Sequence, residues 1–279
     1  MVDAKSLPLR ISVWSWYLEG LSAEDMVKTF SAHGWECSEL SSEHGHELLA
    51  RGDPHRIGAE FRRFAEEHNF SFPQAHFNLG ADISQPAGSI ERREVIDDMK
   101  QWCDFFSALG VKAGVLHPGG ERLWDLGWQR KDTLICSAEV LGELLEHVAG
   151  GELKLCLENS WHHEDTMHLV DTIASPDLCV CMDTGHLNLT GDKWQDFTRW
   201  AGKRLKALHI ADNLGQTDNH LLPFGAGKIR WDGFADALRA VGYDGLFNFE
   251  VGGESSGRPL EIRLAKLDYI RRLASYMLT

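Results

Sequence analysis

Residues 153–186 read LKLCLENSWHHEDTMHLVDTIASPDLCVCMDTGH. Two short apolar, β-like runs stand in this stretch, 153–159 and 178–184, and each closes on a carboxylate, Glu158 or Asp183. The same pattern recurs in both directions. Upstream lie LRISVWSW (9–16), WECSEL (35–40), FSFPQAHF (70–77) and VKAGVLHP (111–118); downstream lie LKALHIAD (205–212) and LFNFEV (246–251). Between the runs the apolar residues recur with helical period. Ile57, Phe61, Phe64, Ala65 and His68 share one helix face, as do Leu134, Ala138, Leu141, Leu145 and Val148, and Phe234, Ala237, Leu238 and Val241. Gly34, Asn69, Gly110, Gly150–Gly151 and Gly242 mark the boundaries. Eight strand–helix units of roughly 35 residues each predict an α/β chain folded as a (β/α)8 TIM barrel, one domain over 1–279. A dinucleotide-binding open sheet would want a glycine loop after the first strand, where Trp14-Ser15-Trp16-Tyr17 stands instead. A Walker A loop fails as well, because Gly227-Lys228 is followed by Ile229 and position 222 is Leu.

Composition narrows the class. The 279 residues hold 28 Lys+Arg against 42 Asp+Glu, a formal net charge of −14, with 43% hydrophobic and 25% charged residues. That usage excludes fibrous, collagenous and disordered chains. No run of 18 uncharged apolar residues is present, so no membrane span is expected. The opening MVDAKSLPLR has no apolar core of a signal peptide. The acidic balance counts against a protein built to grip a nucleic acid backbone, and it is neutral towards small sugars. Cys37, Cys103, Cys136, Cys156, Cys179 and Cys181 form no CxxC pair. They read as reduced, buried thiols of a cytoplasmic protein. A homo-oligomer is compatible with all of this.

In a barrel of this kind chemistry sits at the C-terminal ends of the strands. Those ends read Trp14 and Trp16, Glu39, His76, His117, Glu158, Asp183 with His186 just beyond, His209 and Glu250. Seven of the eight strands close on an ionisable residue of a metal-binding type. Uncompensated buried charge is costly, and a divalent cation would compensate it. Glu158, Asp183, His209 and Glu250 offer hard, oxygen-rich ligation that suits Mn²⁺, Mg²⁺ or Co²⁺ and leaves Zn²⁺ open. One such ion is expected.

At this point the chain resembles a family. LCLEN (155–159), CMDTGH (181–186), LHIADN (208–213), DNHLLPFGAGKIRWDGF (218–234) and FNFEV (247–251) are similar to the xylose-isomerase-like TIM barrels. That superfamily includes sugar and sugar phosphate isomerases and epimerases, inosose dehydratases and isomerases, and AP endonucleases of the endonuclease IV type. The resemblance to the ketose 3-epimerases implies that Glu158, Asp183, His209 and Glu250 are the metal ligands. It also implies that Glu158 and Glu250 are the acid/base pair and that His186 touches a substrate oxygen. His76, His117 and His220 would then join the substrate pocket, with Trp14 and Trp16. The expected activity is isomerisation or epimerisation of a sugar, a sugar phosphate or an inositol through a metal-stabilised enediolate. Expulsion of a β-hydroxyl would make the same chemistry a dehydratase.

The resemblance also carries an alternative. An endonuclease-type trinuclear zinc site would use His76, His117, Glu158, Asp183, His186, His209, Asp218, His220 and Glu250, all of the required types. Against it, the first strand has Val13-Trp14-Ser15-Trp16 where that group has Gly-Ala-His-Val-Ser.

Smaller signals complete the reading. Trp14, Trp16, Trp124, Trp128 and Trp161 could form an aromatic wall for sugar C–H faces or simply pack in loops. The segment His163–His168 has its two histidines five apart, which takes them off a common H-E-x-x-H face. It reads as a solvated loop entering a helix. Asn213–Asp218 contains no Lys or Arg; Lys228 and Arg230 are the nearest basic side chains.

Overall fold

Every apolar run of the sequence becomes a strand. The computed structural model describes residues 7–160 and 162–279, so Trp161 lies outside the described residues. The strands are β1 (Ile11–Val13), β2 (Cys37–Leu40), β3 (Ser71–His76), β4 (Ala113–Leu116), β5 (Lys154–Glu158), β6 (Leu178–Asp183), β7 (Leu205–His209) and β8 (Phe247–Phe249). β2 to β7 pair in order and in parallel, and β8 pairs in parallel with β1. Two parallel bridges, Trp14 with Glu39 and Ile210 with Phe249, join these sheets into a closed ring. The chain is a (β/α)8 barrel.

Helices fill the outer layer: α1 (Ala23–Ala32), α2 (Ser42–Leu49), α3 (Pro54–Glu67), α4 (Ile90–Leu109), α5 (Glu121–Asp125), α6 (Arg130–Val148), α7 (His163–Ile173), α8 (Thr184–Thr190), α9 (Trp194–Ala201), α10 (Phe234–Val241), α11 (Gly252–Ser255) and α12 (Leu260–Met277). Ser22, Ser41, Asp53 and Ser89 cap α1 to α4, each side chain accepting the backbone N–H three residues on. Loss of one such cap costs about 1 kcal/mol. α3 starts with Pro54, whose fixed φ suits a first turn. It buries Ile57, Phe61 and Ala65, and His68 lies just past its end as the C-cap. Its seat against α4 depends on Gly58, where a Cβ would come within 2.6 Å of the Phe105 carbonyl oxygen. Full burial of each Leu or Phe on these faces contributes about 1.5–3 kcal/mol.

The strands alternate between this outer core and the barrel interior. In β8, Phe247 and Phe249 join the outer core, while the Asn248 side chain reaches Ser12 and Glu39 inside. Ala113, Val115, Cys156, Cys179, Cys181 and Ala207 form a separate small-residue cluster within the barrel. All six cysteines are free and buried, as the sequence suggested. The register then sets Glu158 beside Cys181 and Asp183 beside His209, which lifts the ionisable residues to one rim. Among the described residues no helix is long and apolar enough to cross a membrane.

One expectation is corrected. The His163–His168 segment is not a solvated loop, because α7 begins at His163 itself. Arg130 Nε lies 2.7 Å from Asp165 Oδ1 and makes burial of that carboxylate tolerable, while Thr166 Oγ1 donates to the Glu158 carbonyl at 2.7 Å.

Candidate metal centre and active site

Glu158, Asp183 and His209 are the last residues of β5, β6 and β7, and Glu250 follows β8. Their ligand atoms all lie within 4.8 Å of one another. His209 Nδ1 is 3.2 Å from Glu158 Oε2, 3.1 Å from Glu250 Oε2 and 4.0 Å from Asp183 Oδ2. Even so, His209 Nδ1 and Asp183 Oδ2 are buried without a hydrogen-bond partner. These atoms converge on a common point instead of bonding in line. Three carboxylates and one ring nitrogen around a buried point demand positive charge there, and they fit a divalent cation.

The supporting residues fix that geometry. His209 Nε2 donates to Glu39 Oε1 at 2.9 Å, Asn248 Nδ2 donates to Glu39 Oε2, and Ser12 Oγ donates to Asn248 Oδ1 at 2.8 Å. In its neutral form, with the proton on Nε2, His209 would present the Nδ1 lone pair to a cation at the site. Asp183 caps α8, its Oδ1 accepting the His186 backbone N–H at 2.7 Å. Asn159 brackets the same residue, donating from Nδ2 to the Asp183 carbonyl at 2.9 Å and accepting the Asp183 N–H at 2.8 Å.

Charge follows from the crowding. Burial and the neighbouring Glu158 and Glu250 push Asp183 up to about 7 against the pull of His186. Burial alone would raise Glu158, but His209, His117 and His186 outweigh it and hold that carboxyl well below its usual range. Glu250 is drawn down to about 2 by His209 and His220 in spite of burial. Burial disfavours a charge on His209, yet the surrounding Cys181, Glu250, Glu39 and Glu158 raise it well above an ordinary imidazole.

The remaining candidates surround this centre. His76 Nε2 and His117 Nε2 lie 3.4 and 3.3 Å from Glu158 Oε2, and these three residues form a second convergent group. His186 Nδ1 lies 3.2 Å from Glu158 Oε1, and its Nε2 lies 3.1 Å from Asp218 Oδ2. His220 Nε2 reaches the same Asp218 oxygen at 2.8 Å, and its Nδ1 donates to the Glu250 carbonyl at 2.9 Å. Between two imidazoles, Asp218 stays ionised despite partial burial.

A cavity of about 280 Å³ opens over the centre, lined by Trp14, Glu43, His76, Leu79, His117, Glu158, His186, Asp218, His220, Glu250 and Gly252. Trp16 turns elsewhere and meets His44 edge-on at 5.1 Å. Trp124 donates to Thr133 Oγ1 at 2.8 Å and is not part of the cavity lining, nor is Trp128. Among the described residues no Lys or Arg lines the cavity; Arg230 pairs with Asp232 at 3.2 Å on the surface. Two residues escaped the sequence reading of roles. Glu39 was visible only as a strand end, because its partner His209 is 170 positions away. Glu43 was one acid in a polar run, yet its Oε2 is buried, unpartnered, and belongs to the cavity lining.

Comparison with known proteins now separates family from fold. Residues 27–273 match the xylose isomerase-like TIM barrel family. The chain belongs to that family. D-psicose 3-epimerase of Enterocloster bolteae is 34% identical over 127 residues, 44% of this chain and 38% of that protein. Inosose isomerase of Bacillus licheniformis is 24% identical over 172 residues, 57% of this chain and 60% of that protein. A probable endonuclease 4 of Mesomycoplasma hyopneumoniae is 25% identical over 185 residues, 59% of this chain and 63% of that protein. The matches span less than two thirds of each of these relatives. Among solved structures, D-psicose 3-epimerase of Clostridium cellulolyticum superposes with a TM-score of 0.79 over 97% of this chain and 99% of that one, at 17% identity. That likeness bears on the fold.

Proposed function

We propose that residues 1–279 act as a single barrel domain, a divalent-metal-dependent isomerase or epimerase of a small unphosphorylated carbohydrate or cyclic polyol. One observation carries the reading: two carboxylates from strands well apart on the rim, Glu158 and Glu250, converge on the same His209 nitrogen and both line the cavity. Glu158, Asp183, His209 and Glu250 would hold one ion, Mn²⁺, Mg²⁺, Co²⁺ or Zn²⁺. Such an ion would supply Lewis-acid polarisation of a substrate carbonyl and stabilise the charge that develops when the neighbouring carbon is deprotonated. Of the two glutamates, one removes the proton from the carbon beside the carbonyl and the other returns one. Return to the opposite face epimerises; return to the adjacent carbon isomerises. His186, His220, His76 and His117 orient hydroxyls, and Trp14 offers a flat face to the ring carbons. The absence of Lys and Arg from the lining disfavours a phosphorylated substrate. The names of the matched epimerase and inosose isomerase support the same chemistry.

A second reading has its own observation. His76, His117 and Glu158 form a further ligand group, and His186, Asp218 and His220 lie in hydrogen-bonded contact beside it. This is the gathering that a trinuclear zinc phosphodiesterase would need.

Incubation in D₂O with Mn²⁺-loaded protein and a panel of ketoses and keto-inositols tests the first reading. Deuterium is expected on the carbon beside the carbonyl, and product analysis separates epimer, isomer and dehydration product. Glu158→Gln and Glu250→Gln should each lower turnover by about 10²–10⁴-fold, with metal content measured alongside. Absence of exchange, together with zinc-dependent nicking of an abasic-site duplex and three zinc ions per chain, transfers the assignment to the phosphodiesterase.

A further inference from the structure

The other end of the barrel carries a hollow of its own. It measures about 430 Å³, and its lining includes Arg10, Gln74, Lys112, Lys154, Lys206 and Leu246. Arg10, Lys112 and Leu246 directly precede β1, β4 and β8, Lys154 opens β5, and Lys206 is the second residue of β7. Glu158, Asp183 and His209 close their strands at the opposite end, and the hollow shares no lining residue with the metal cavity. We propose that this N-terminal mouth binds a small hydroxylated polyanion, its oxyanion groups held by the four cations and one of its hydroxyls by Gln74. Such a site stands apart from the carbohydrate chemistry at the opposite rim.

Charge is the first argument. A chain of net charge −14 gathers four cations from four strand starts around one hollow, and among the described residues only Glu152 and Asp244 line it as carboxylates. The cationic surplus favours an anion there. Lys112 pairs with Glu152, Lys154 with Asp177, and Lys206 with Asp244 at 2.8 Å. Glu152 and Asp244 are largely exposed, and ion pairs of that kind contribute little, so Lys112 and Lys206 can turn to a ligand at small cost. Arg10 has no carboxylate partner among the described residues: its Nη2 donates to Ser71 Oγ at 2.7 Å and to the Glu36 carbonyl at 3.3 Å. Gln74 is the second argument. It is 1% exposed, and its Nε2 donates to the Leu208 carbonyl at 3.2 Å. That bond fixes which way the amide faces and leaves Oε1 buried without a hydrogen-bond partner. An orphaned buried acceptor is costly, and a ligand hydroxyl in the hollow that Gln74 lines would satisfy it. Ion pairing for stability would account for the three lysines, but for neither Arg10 nor the Gln74 oxygen. Size is the third argument: the volume falls within the roughly 300–1,000 Å³ of small-molecule sites.

Titration calorimetry of the purified protein at physiological ionic strength tests the site, with glucose 1,6-bisphosphate, malate, inorganic phosphate and neutral glucose as probes. One saturable site per chain is expected for the bisphosphate or for malate, tighter than for inorganic phosphate, and none for glucose; the tighter of the two hydroxylated anions identifies the anionic group. Arg10→Gln and Lys112→Gln, each checked for folding by thermal melting, should weaken that binding at least about tenfold. Gln74→Leu should weaken the hydroxylated anion several-fold and leave inorganic phosphate unchanged. No saturable binding of either hydroxylated anion, glucose binding as tightly as they do, or an affinity that both charge variants retain overturns the site. Equal losses for inorganic phosphate and the hydroxylated anion in Gln74→Leu overturn the hydroxyl contact.

Discussion

Glu39 is fully buried and lies outside the cavity lining, yet it decides which nitrogen of His209 faces the centre. Its two oxygens are spoken for, one by His209 and one by Asn248. Glu39→Gln leaves one acceptor oxygen for two donors, so either the Asn248 amide or His209 Nε2 meets an N–H in its place and the support of the ring is weakened. Mn²⁺ affinity read by calorimetry should fall about 10–100-fold, the usual loss when such a supporting carboxylate is removed. Binding equal to the parent protein would mean that His209 is oriented by other contacts. His186 offers the complementary case. Its ring reaches Asn159, Asp218 and Glu158 without joining the four convergent ligands. His186→Ala should therefore lower kcat/KM while leaving one equivalent of Mn²⁺ bound; loss of the metal would make His186 a ligand. The four convergent residues were legible because each closes an apolar run. Glu39 and Glu43 were not, because what distinguishes them is a partner, or the lack of one, that only the closed barrel supplies.

At the scale of elements, α2 is fastened to the barrel by a neutral imidazole. His44 Nδ1 lies 2.9 Å from Ser15 Oγ and its Nε2 lies 3.2 Å from the Leu21 carbonyl, so Nε2 carries the proton and Nδ1 accepts from the serine. Burial lowers the His44 pKa, with the Leu21 carbonyl and Glu47 working in the other direction. The unfolded chain titrates near ~6.5. As pH falls below that value the unfolded state binds a proton that the folded state refuses. The stability is thus present above the unfolded pKa and is lost as pH drops towards the folded one. Urea unfolding of the metal-free protein at a series of pH values, set against His44→Gln, should show a steeper acid loss in the parent, by at most ~1.4 kcal/mol per pH unit. Parallel curves would show that His44 takes up its proton equally in both states. The segment after β7 is fastened differently. Asp212 Oδ1 accepts from the backbone of Asn213, Lys228 and Ile229, and its Oδ2 accepts from the Trp231 indole, closing the loop that carries Asp218 and His220. Strand positions were readable here because alternation is local. The start of α7 was not, because burial of Asp165 depends on Arg130 in a different helix.

For the whole molecule the proposed metal site predicts a stability that rises when a cation is supplied. The chain already carries −14, and it concentrates Glu39, Glu158, Asp183 and Glu250 inside one end of the barrel. Barrel closure forces this: the register that buries the small Cys and Ala layer below leaves the carboxylates no other direction. Eight-fold alternation and strand-end chemistry could be read from the sequence, because a barrel repeats one local rule. The stagger that brings β5 to β8 onto one point could not. A folded barrel offers this donor set assembled and an unfolded chain does not, so Mn²⁺ held at this proposed site would bind the folded state and stabilise it by mass action. At 100-fold excess over Kd the gain is about 2.7 kcal/mol, a rise in Tm of roughly 5 °C for a chain of this size. Melting in EDTA and then in excess Mn²⁺ measures it directly. The gain should shrink to near zero in Asp183→Asn, where the orphaned Oδ2 is replaced or turned away, while a Lys228→Ala control on the exposed loop keeps it. An Asp183→Asn protein that retains the full Mn²⁺ shift would show that the ion binds elsewhere and that the convergence on His209 Nδ1 is not a metal centre.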